Sequence, residues 1–314
     1  MVHEIYGAAN WRGESLSRTA WEMNLSRVGS ADSDDRDFAV EISALADRLE
    51  NGPGVALLRG QDVGRLSEED AKSWFLELMS LVGTPVSQSA AGDRVFSVRD
   101  AGFKDDDARA RGPNTKKKLS FHTDRCDVIA FLCLKEAKSG GENQVVSSVA
   151  IYNEIAKRRP DLMSVLMRPF LYKRHNVDMG NDQAFCEQPV FSFRDGHFAC
   201  AFLRVLIERA YEDERTPEMT SEQREALDFL EAVAAAPEMQ LRFTQEPGDI
   251  LLLNNWVTLH RRTAFEDWAE PERRRHILRI WLSMPNSRPL DPMFEANYGA
   301  VEAGAIRGGM QARR

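Results

Sequence analysis

The amino-acid sequence predicts a mostly β fold with flanking helices, in which two sheets pack together as a jelly roll. Three observations favour this fold class. After residue 120 the apolar runs become short and strand-like, as in VIAFLCL, HFACAF and DILLLNNWVTLH. Turn-forming stretches such as SGG, RDG and EPGD separate several of these runs. Helical segments interrupt the strands without the regular alternation of a βαβ array, which favours a double sheet.

The first hundred residues supply helices and isolated strands. Apolar side chains at helical spacing predict a helix over 38–50, which GPG ends before the strand-like VALLRG. Ser67 and Asp70 predict a helix start of the capping-box type, and Gly83 ends that helix. Residues 94–100, RVFSVRD, alternate as a strand does. These elements precede the motifs that carry the chemistry.

The chain shows no internal repeat and no linker rich in Pro, Gly or Ser, so residues 1–314 are predicted to form a single domain. The charged segment 101–118 lacks periodicity and adjoins the candidate site. Such a segment is either a solvated connector or a lid, and it is a possible lid loop here. The polar segment 174–191 could likewise cap a pocket or form a simple loop.

The charge balance indicates the kind of partner. With 41 basic and 49 acidic residues the chain carries a net charge of −8, which offers no basic surface for nucleic acid or an anionic membrane. The N-terminus lacks a basic start followed by an apolar run, and no apolar stretch approaches the length of a membrane span. We therefore expect a cytoplasmic protein with a small-molecule substrate; its oligomeric state cannot be predicted from these features.

Four cysteines are scattered along the chain, and none forms a CxxC pair. Most lie within apolar runs, so they are expected to be reduced and mostly buried rather than ligands of a zinc ribbon or partners in a disulfide framework. His175 and His197 have no suitably spaced acidic or cysteine neighbour and are interpreted as ordinary hydrogen-bonded histidines.

A candidate metal site begins in the stretch FHTD. His122 and Asp124 are two residues apart, so on a strand they project from the same face. Much later, His260 ends an apolar strand that follows a Pro-Gly-Asp turn. Two imidazoles and one carboxylate form the facial triad of non-haem Fe(II) oxygenases, which leaves coordination positions open. The alternative is a core histidine at 260 and a surface ion pair at 122 and 124.

The last strand-like segment, RHILRIWLSM, carries two arginines on one face. Arg275 and Arg279 are four residues apart and share that face with Ile277, whereas His276 and Leu278 face the other way. Guanidinium groups bind planar carboxylates through paired hydrogen bonds. A metal with open positions beside such an arginine suits 2-oxoglutarate. A charged, solvent-facing side of an amphipathic strand is the alternative.

Taken together, these motifs resemble the taurine dioxygenase family of Fe(II)/2-oxoglutarate oxygenases, which includes 2,4-dichlorophenoxyacetate, γ-butyrobetaine and clavaminate synthase-like enzymes. The matching segments, in the family's order between about residues 55 and 285, are FHTD (121–124), SGGEN (139–143), PGDILLLNNWVTLHRR (247–262) and RRRHILR (273–279). The resemblance implies a double-stranded β-helix, the cupin-like jelly roll.

The resemblance also implies roles for single residues. His122, Asp124 and His260 would bind iron, and Arg275 would bind the distal carboxylate of 2-oxoglutarate. Arg279 matches the position that grips the anionic end of the substrate in the taurine enzyme.

Three further side chains are candidates with weaker support. Asn143 stands where the family commonly has Thr or Ser, and its amide can donate the same hydrogen bond to 2-oxoglutarate. Arg125 and Arg204 are further candidate substrate-binding residues, but the interpretation of each as a structural ion-pair partner is favoured.

The implied reaction uses Fe(II), 2-oxoglutarate and O2, and it hydroxylates a small anionic metabolite, such as an amino acid or organic acid, with release of succinate and CO2. Asp124 argues against halogenation, because related halogenases have a small residue in place of the carboxylate. Two alternatives remain: a degenerate member that only binds a small acid, and a cupin-type dioxygenase that does not use 2-oxoglutarate. The substrate, and the choice between hydroxylation, desaturation and cyclisation, do not follow from the sequence.

Overall fold

The computed structural model describes residues 3–25, 35–102, 114–174 and 183–310. Its strands are β1 (Glu22–Met23), β2 (Val55–Leu58), β3 (Thr84–Val86), β4 (Val95–Val98), β5 (Val128–Lys135), β6 (Ser139–Gly140), β7 (Asn143–Ser147), β8 (Pro169–Lys173), β9 (Phe185–Pro189), β10 (Phe191–Arg194), β11 (His197–Cys200), β12 (Gln240–Phe243), β13 (Ile250–Asn254), β14 (Thr258–Arg262), β15 (Phe265–Glu266) and β16 (His276–Ser283). Its α-helices are α1 (Arg18–Trp21), α2 (Asp35–Glu50), α3 (Glu68–Val82), α4 (Ser148–Arg158), α5 (Pro160–Leu166), α6 (Arg204–Tyr211), α7 (Ser221–Ala235) and α8 (Glu295–Tyr298).

Two sheets form the centre of the fold. The larger has the strand order β1-β2-β13-β5-β16-β3, with β4 also pairing with β16, and the smaller has the order β12-β7-β14. All of these pairs are antiparallel except β1 with β2. This arrangement confirms the predicted double-stranded β-helix with flanking helices.

The larger sheet is buried on both faces. Ile250 and Leu252 of β13 pack in one apolar cluster with residues of α2 and α3, whereas Leu251 and Leu253 pack in another with Val145 of the smaller sheet. All five residues of β13 are buried. Burial on both faces explains why its sequence is a continuous apolar run rather than an alternating one.

Local signals set the helix ends. The Ser67 side chain accepts a hydrogen bond from the backbone N–H of Asp70 at 3.2 Å, and α3 ends at Gly83, as expected from the sequence. Pro160 separates α4 from α5, because proline suits the first turn of a helix and not its interior. These helices pack on the outside of the two sheets.

The segment DILLLNNWVTLH is two strands, not the single strand predicted. β13 ends at Asn254 and β14 begins at Thr258, in the other sheet. The Asn254 side chain accepts a hydrogen bond from the backbone N–H of Trp256 at 2.9 Å, and the Thr258 hydroxyl donates to the carbonyl of Asn254 at 2.7 Å. Asparagine in this local pattern makes a turn, which carries the chain from one sheet to the other.

Most of the possible lid, residues 103–113 of segment 101–118, lies outside the described residues, as does His175. The end of the segment is anchored, because the carbonyl of Lys116 accepts a hydrogen bond from Phe265 at 3.2 Å. In the polar segment 174–191, residues 185–189 form β9, a hairpin partner of β8.

The four cysteines are free thiols, and all four are buried, as predicted. His197 is exposed on β11. Among the residues that the structure describes, no helix is both long enough and apolar enough to span a bilayer.

Candidate metal centre and cosubstrate pocket

The backbone brings His122 and His260 together. Each donates its backbone N–H to the carbonyl of the other at 3.1 Å, which forms an isolated antiparallel bridge between the segment before β5 and the middle of β14. Val145 of β7 pairs with His260 on its other side. The strand pairing therefore sets the position of both histidines.

The three predicted ligands converge. Oδ2 of Asp124 lies 3.6 Å from Nε2 of His122 and 3.3 Å from Nε2 of His260. One potential ligand atom from each residue lies within 4.8 Å of the others. Their side chains are 17%, 11% and 10% exposed for His122, Asp124 and His260, respectively. The group sits in the wall of a cavity rather than on the outer surface.

Asn255 orients Asp124 and was not predicted from the sequence. Its side chain accepts a hydrogen bond from the backbone N–H of Asp124 at 2.9 Å and donates one to the carbonyl of Cys126 at 3.1 Å. Asn255 is 1% exposed and lies in the turn between β13 and β14. The adjacent asparagines in LNNW were the available signal, because a buried asparagine needs several hydrogen-bond partners.

The electrostatics favour the protonation states that bind metals. Burial and the neighbouring imidazole of His260 lower the pKa of His122 to about 4, so its imidazole is neutral near pH 7. Burial alone would raise the pKa of Asp124, but the nearby imidazole of His260 and the guanidinium of Arg279 outweigh it and hold that pKa below its usual value. A neutral imidazole and an ionised carboxylate are the forms that coordinate a metal.

Hydrogen bonding supports a fit to a metal ion. Oδ2 of Asp124 is buried, yet it accepts no hydrogen bond from any described residue, because its contacts with the two imidazoles lack hydrogen-bond geometry. Nδ1 of His122 lies 2.9 Å from the carbonyl of Ser120, which fixes the ring and leaves Nε2 facing the carboxylate. A buried charged oxygen without a donor is costly, and a cation between these atoms would compensate it.

The triad opens into a cavity of about 680 Å³. Aromatic and aliphatic side chains form much of its lining, among them Phe131, whose ring contacts that of His260 edge-on at 5.7 Å between centroids. Leu251, Leu253 and Trp281 extend this apolar lining. The volume is in the range of small-molecule sites.

Arg275 lies in the same cavity and is 8% exposed. Within the described part of the chain, no hydrogen bond or ion pair at 4.0 Å or less reaches its guanidinium. Gly141 packs against it: a Cβ at that glycine would lie 3.5 Å from Nε of Arg275, and its φ of +75° suits glycine. Burial lowers the pKa of Arg275, although an arginine keeps its charge near neutral pH.

Asn143 opens β7 and also lines the cavity. Its amide Nδ2 donates to the side-chain oxygen of Gln245 at 3.3 Å, which occupies one of its two N–H groups. The second N–H can still donate elsewhere. Gln245 was not predicted; it is buried and donates to the carbonyl of Phe131 at 2.9 Å.

Arg279 contacts the triad directly. Its Nη1 lies 3.6 Å from Oδ1 of Asp124, and its Nε donates to the side-chain oxygen of Gln88 at 2.7 Å. The guanidinium also lies about 5 Å from the ring centroids of Phe96 and Trp281, at 5.1 and 5.0 Å. Arg279 therefore faces the cavity, as its strand position predicts, and stabilises the charge of the triad carboxylate.

The other two candidate arginines have different surroundings. Arg125 is partly buried and lines the cavity next to Asp124. Arg204 begins α6 at the cavity wall, and three carboxylates bind its guanidinium at 2.6–2.8 Å. Those partners are Glu208, Asp228 and Glu231. This geometry favours the structural ion-pair interpretation for Arg204.

Comparisons with known proteins identify the family of the chain. Residues 22–281 match the family described as taurine catabolism dioxygenase TauD, TfdA family. The FR-33289 synthase of Streptomyces rubellomurinus is 30% identical over 317 residues, which cover 97% of this chain and 89% of that protein. Human gamma-butyrobetaine dioxygenase is 26% identical over 178 residues, covering 51% of this chain and 43% of that protein.

Solved structures agree on the fold. An asparagine oxygenase in complex with Fe(II), 2S,3S-3-hydroxyasparagine and succinate superposes with a TM-score of 0.63 at 17% identity, covering 93% of this chain and all of that chain. The non-haem iron oxygenase OrfP in complex with Fe and alpha-ketoglutaric acid gives a TM-score of 0.55 at 15% identity, covering 83% and 94% of the two chains. From the match along most of its length, this chain belongs to the TauD/TfdA family and is an Fe(II)/2-oxoglutarate-dependent dioxygenase.

Proposed function

We propose that His122, Asp124 and His260 bind the Fe(II), and that Arg275 binds the distal carboxylate of 2-oxoglutarate with help from Asn143. One observation carries this assignment. A buried carboxylate oxygen without a hydrogen-bond donor faces two imidazole Nε2 atoms. The same cavity holds a buried arginine, Arg275, that has no carboxylate within 4.0 Å among the described residues. Iron and a dicarboxylate together would supply both missing partners.

The protein's own groups have defined tasks in such a reaction. The Ser120 carbonyl fixes the His122 ring, the backbone bridge sets the positions of both histidines, and Asn255 holds the backbone of Asp124. The apolar lining around Phe131 excludes water from the reacting centre. Bound iron with 2-oxoglutarate and O2 supplies the oxidising chemistry, with succinate and CO2 as by-products. The residues contribute orientation and a dry site.

We infer that the substrate is a small anion and that hydroxylation is the reaction. Basic side chains outnumber acidic ones in the cavity lining, where the acidic residues among those described are Asp124, Glu208 and Glu231. This local excess contrasts with the net charge of −8 for the whole chain. Such a pocket concentrates anions.

The names of related proteins support a substrate of this class. They include a uridine-5'-phosphate dioxygenase from Streptomyces sp and the gamma-butyrobetaine dioxygenase, both named for compounds that carry an acidic group. The solved asparagine oxygenase holds an amino-acid product. An amino acid or small organic acid would fit the volume and charge of the present cavity.

Arg279 and Arg125 are the side chains proposed to bind the anionic group of the substrate, since both line the cavity beside Asp124. Because Arg279 also contacts the proposed iron ligand Asp124, a substitution of Arg279 could change iron binding as well as substrate binding. An Arg279→Gln variant should raise the KM of the substrate more than that of 2-oxoglutarate, and its Fe(II) affinity must be measured in parallel. Equal increases in both KM values at unchanged iron affinity would reject the substrate role.

The first experiment is anaerobic visible absorption of the purified protein with Fe(II), with and without 2-oxoglutarate, beside an Asp124→Ala variant. A weak charge-transfer band that requires both additions, and that the variant loses, supports the ligand assignment and justifies screening small acids by succinate release. Bound iron without any band would mean that 2-oxoglutarate does not chelate at this triad, and the assignment would be withdrawn.

A further inference from the structure

Arg262 is the second buried arginine at the end of the cavity that holds Arg275. The two side chains are 7% and 8% exposed, and both line the cavity. Their guanidinium carbons lie 4.5 and 5.2 Å, respectively, from the ring centroid of Phe265. Arg262 stands two residues after His260 on β14, so its side chain projects from the same strand face as the metal-site imidazole.

The hydrogen bonds of Arg262 leave part of its guanidinium unused. Nη2 donates to the carbonyls of Thr115 and Lys117 at 3.0 and 2.7 Å, whereas Nη1 is buried and has no hydrogen-bond partner among the described residues. No carboxylate of those residues lies within 4.0 Å of either guanidinium. Beyond that distance, Asp100 and Asp267 interact electrostatically with Arg262, and Asp267 does so with Arg275. One oxygen of Asp267 accepts the backbone N–H of Arg275 at 2.8 Å.

Two like charges buried against the same phenylalanine ring repel each other. A carboxylate placed between the two guanidinium groups would satisfy the free N–H of Arg262 and offset the repulsion. The backbone of Asn143, the residue that stands where the family commonly has a hydroxyl, pairs directly with Arg262 across β7 and β14.

We propose that Arg262 is a second cationic anchor for the distal carboxylate of 2-oxoglutarate, acting beside Arg275. The inference rests on the proposed function, because it assumes that 2-oxoglutarate occupies this cavity. Arg262 supplies a charged donor next to Asn143, whose amide is already shared with Gln245. The distal carboxylate is thus held by two guanidinium groups instead of by one guanidinium group and a hydroxyl.

The test compares two ligands that differ only at the distal end. Dissociation constants of 2-oxoglutarate and 2-oxopentanoate, which lacks the distal carboxylate, are measured anaerobically by calorimetry on the Fe(II)-loaded protein. Arg262→Gln should weaken 2-oxoglutarate binding by about tenfold or more, as expected for a lost charged hydrogen bond. It should change 2-oxopentanoate binding by less than about twofold, since that ligand has no group for Arg262 to hold. The affinity of Arg262→Lys for 2-oxoglutarate should fall between those of the wild type and Arg262→Gln. Lysine keeps the positive charge but lacks the paired N–H donors of a guanidinium group.

Other outcomes separate the possible failures. Equal weakening of both ligands would show that Arg262 acts by holding residues 114–118 in place and would overturn the proposal, as would unchanged binding of 2-oxoglutarate. A wild-type protein that binds iron but not 2-oxoglutarate would instead remove the proposed function itself. Arg242→Gln, on an exposed arginine of β12, is the matched control and should bind both ligands as wild type does. If Arg262→Gln fails to fold, the same ligand comparison on Arg262→Lys decides.

Discussion

At the scale of single residues, Asp124 joins the metal site to the substrate side of the cavity. Its Oδ2 faces both imidazoles, and its Oδ1 lies 3.6 Å from the guanidinium of Arg279. A bound metal would therefore share this carboxylate with an arginine. A change at either residue is expected to act on both iron binding and substrate binding.

Replacing the carboxylate isosterically tests its role as a ligand. Asp124→Asn should weaken Fe(II) binding at least about 100-fold, because loss of an outer partner alone costs about 10- to 100-fold in metal affinity. Anaerobic calorimetry with Fe(II) measures the change. Asp62→Asn, on an exposed aspartate, is the control and should bind iron normally. Wild-type iron affinity in the Asp124 variant would contradict the triad assignment.

His276 is a second residue whose surroundings make a measurable prediction. It is 6% exposed, faces away from the cavity, and its Nε2 lies 3.2 Å from the Ser97 hydroxyl. Burial lowers its pKa from 6.5 to about 4. Between these two values the unfolded chain binds the proton and the folded protein does not, so stability falls as the pH decreases through this window.

His276→Gln should remove that contribution. Between pH 7 and pH 4.5 the wild type should lose on the order of 2 kcal/mol more stability than the variant. Urea unfolding at several pH values measures the difference. His197→Gln, at an exposed site, should follow the wild-type curve. Parallel curves for wild type and His276→Gln would mean that the imidazole is protonated in the folded protein.

At the scale of elements, the turn between β13 and β14 connects the sheets and positions the site. β13 belongs to the larger sheet and β14 to the smaller one. Within the turn, Asn255 holds Asp124, and the next strand carries His260. Only four residues, two in the turn and two at the start of β14, therefore separate Asn255, which holds Asp124, from His260.

Asn255→Ala should remove the hydrogen bonds that hold the backbone beside Asp124. The change leaves the backbone N–H of Asp124 and the carbonyl of Cys126 without their side-chain partner in a buried place, at a cost of about 2–4 kcal/mol for the two groups. Urea unfolding should show that loss, and Fe(II) calorimetry should show weaker binding. Asn286→Ala removes a single exposed side-chain bond to Ala46 and should cost less than about 1 kcal/mol. Similar losses in both variants would argue against the positioning role.

At the scale of the whole molecule, the chain after β16 packs against the start of β5 and the turn between β13 and β14. Arg307 is fully buried and donates to Oδ1 of Asp127 at 2.7 Å, and that carboxylate also accepts from the Trp256 ring nitrogen and the backbone of Met284, both at 2.8 Å. Asp127 stands just before β5 and Trp256 lies in the turn between β13 and β14, so the network joins the larger sheet and this turn to the C-terminal segment.

Arg307→Ala should therefore be strongly destabilising. Removing one partner leaves the charge of Asp127 buried without its counter-ion, which typically costs about 3–5 kcal/mol. Arg215→Ala is the comparison, because the Arg215 side chain is exposed and its ion pair with Asp213 should contribute no more than about 1 kcal/mol. Thermal and urea unfolding measure both. A small loss for Arg307→Ala would show that water reaches this network.

Local signals in the sequence were sufficient to predict the fold class and the candidate ligands. The shared face of Arg275 and Arg279 and the end of α3 at Gly83 both depend on neighbours a few residues away. For that reason the fold class and the candidate ligands could be predicted from the amino-acid pattern. The spacing of His122 and Asp124 paired the right residues, although they precede β5 and only His122 forms a β-bridge rather than both lying on the expected strand. The turn inside 250–262 was missed because an apolar run buried on both faces does not show where it changes sheets.

The amino-acid sequence by itself determined the fold class, several of the strands and helices, the identity of the candidate ligands and the family of the protein. Only the tertiary structure decided that Asn255 holds Asp124, that Arg279 contacts the same carboxylate, and that Arg262 and Arg275 meet on one phenylalanine ring. The physical reason is the same in each case. These contacts join residues far apart in the chain, and local periodicity carries no information about which distant side chains fill the same buried space.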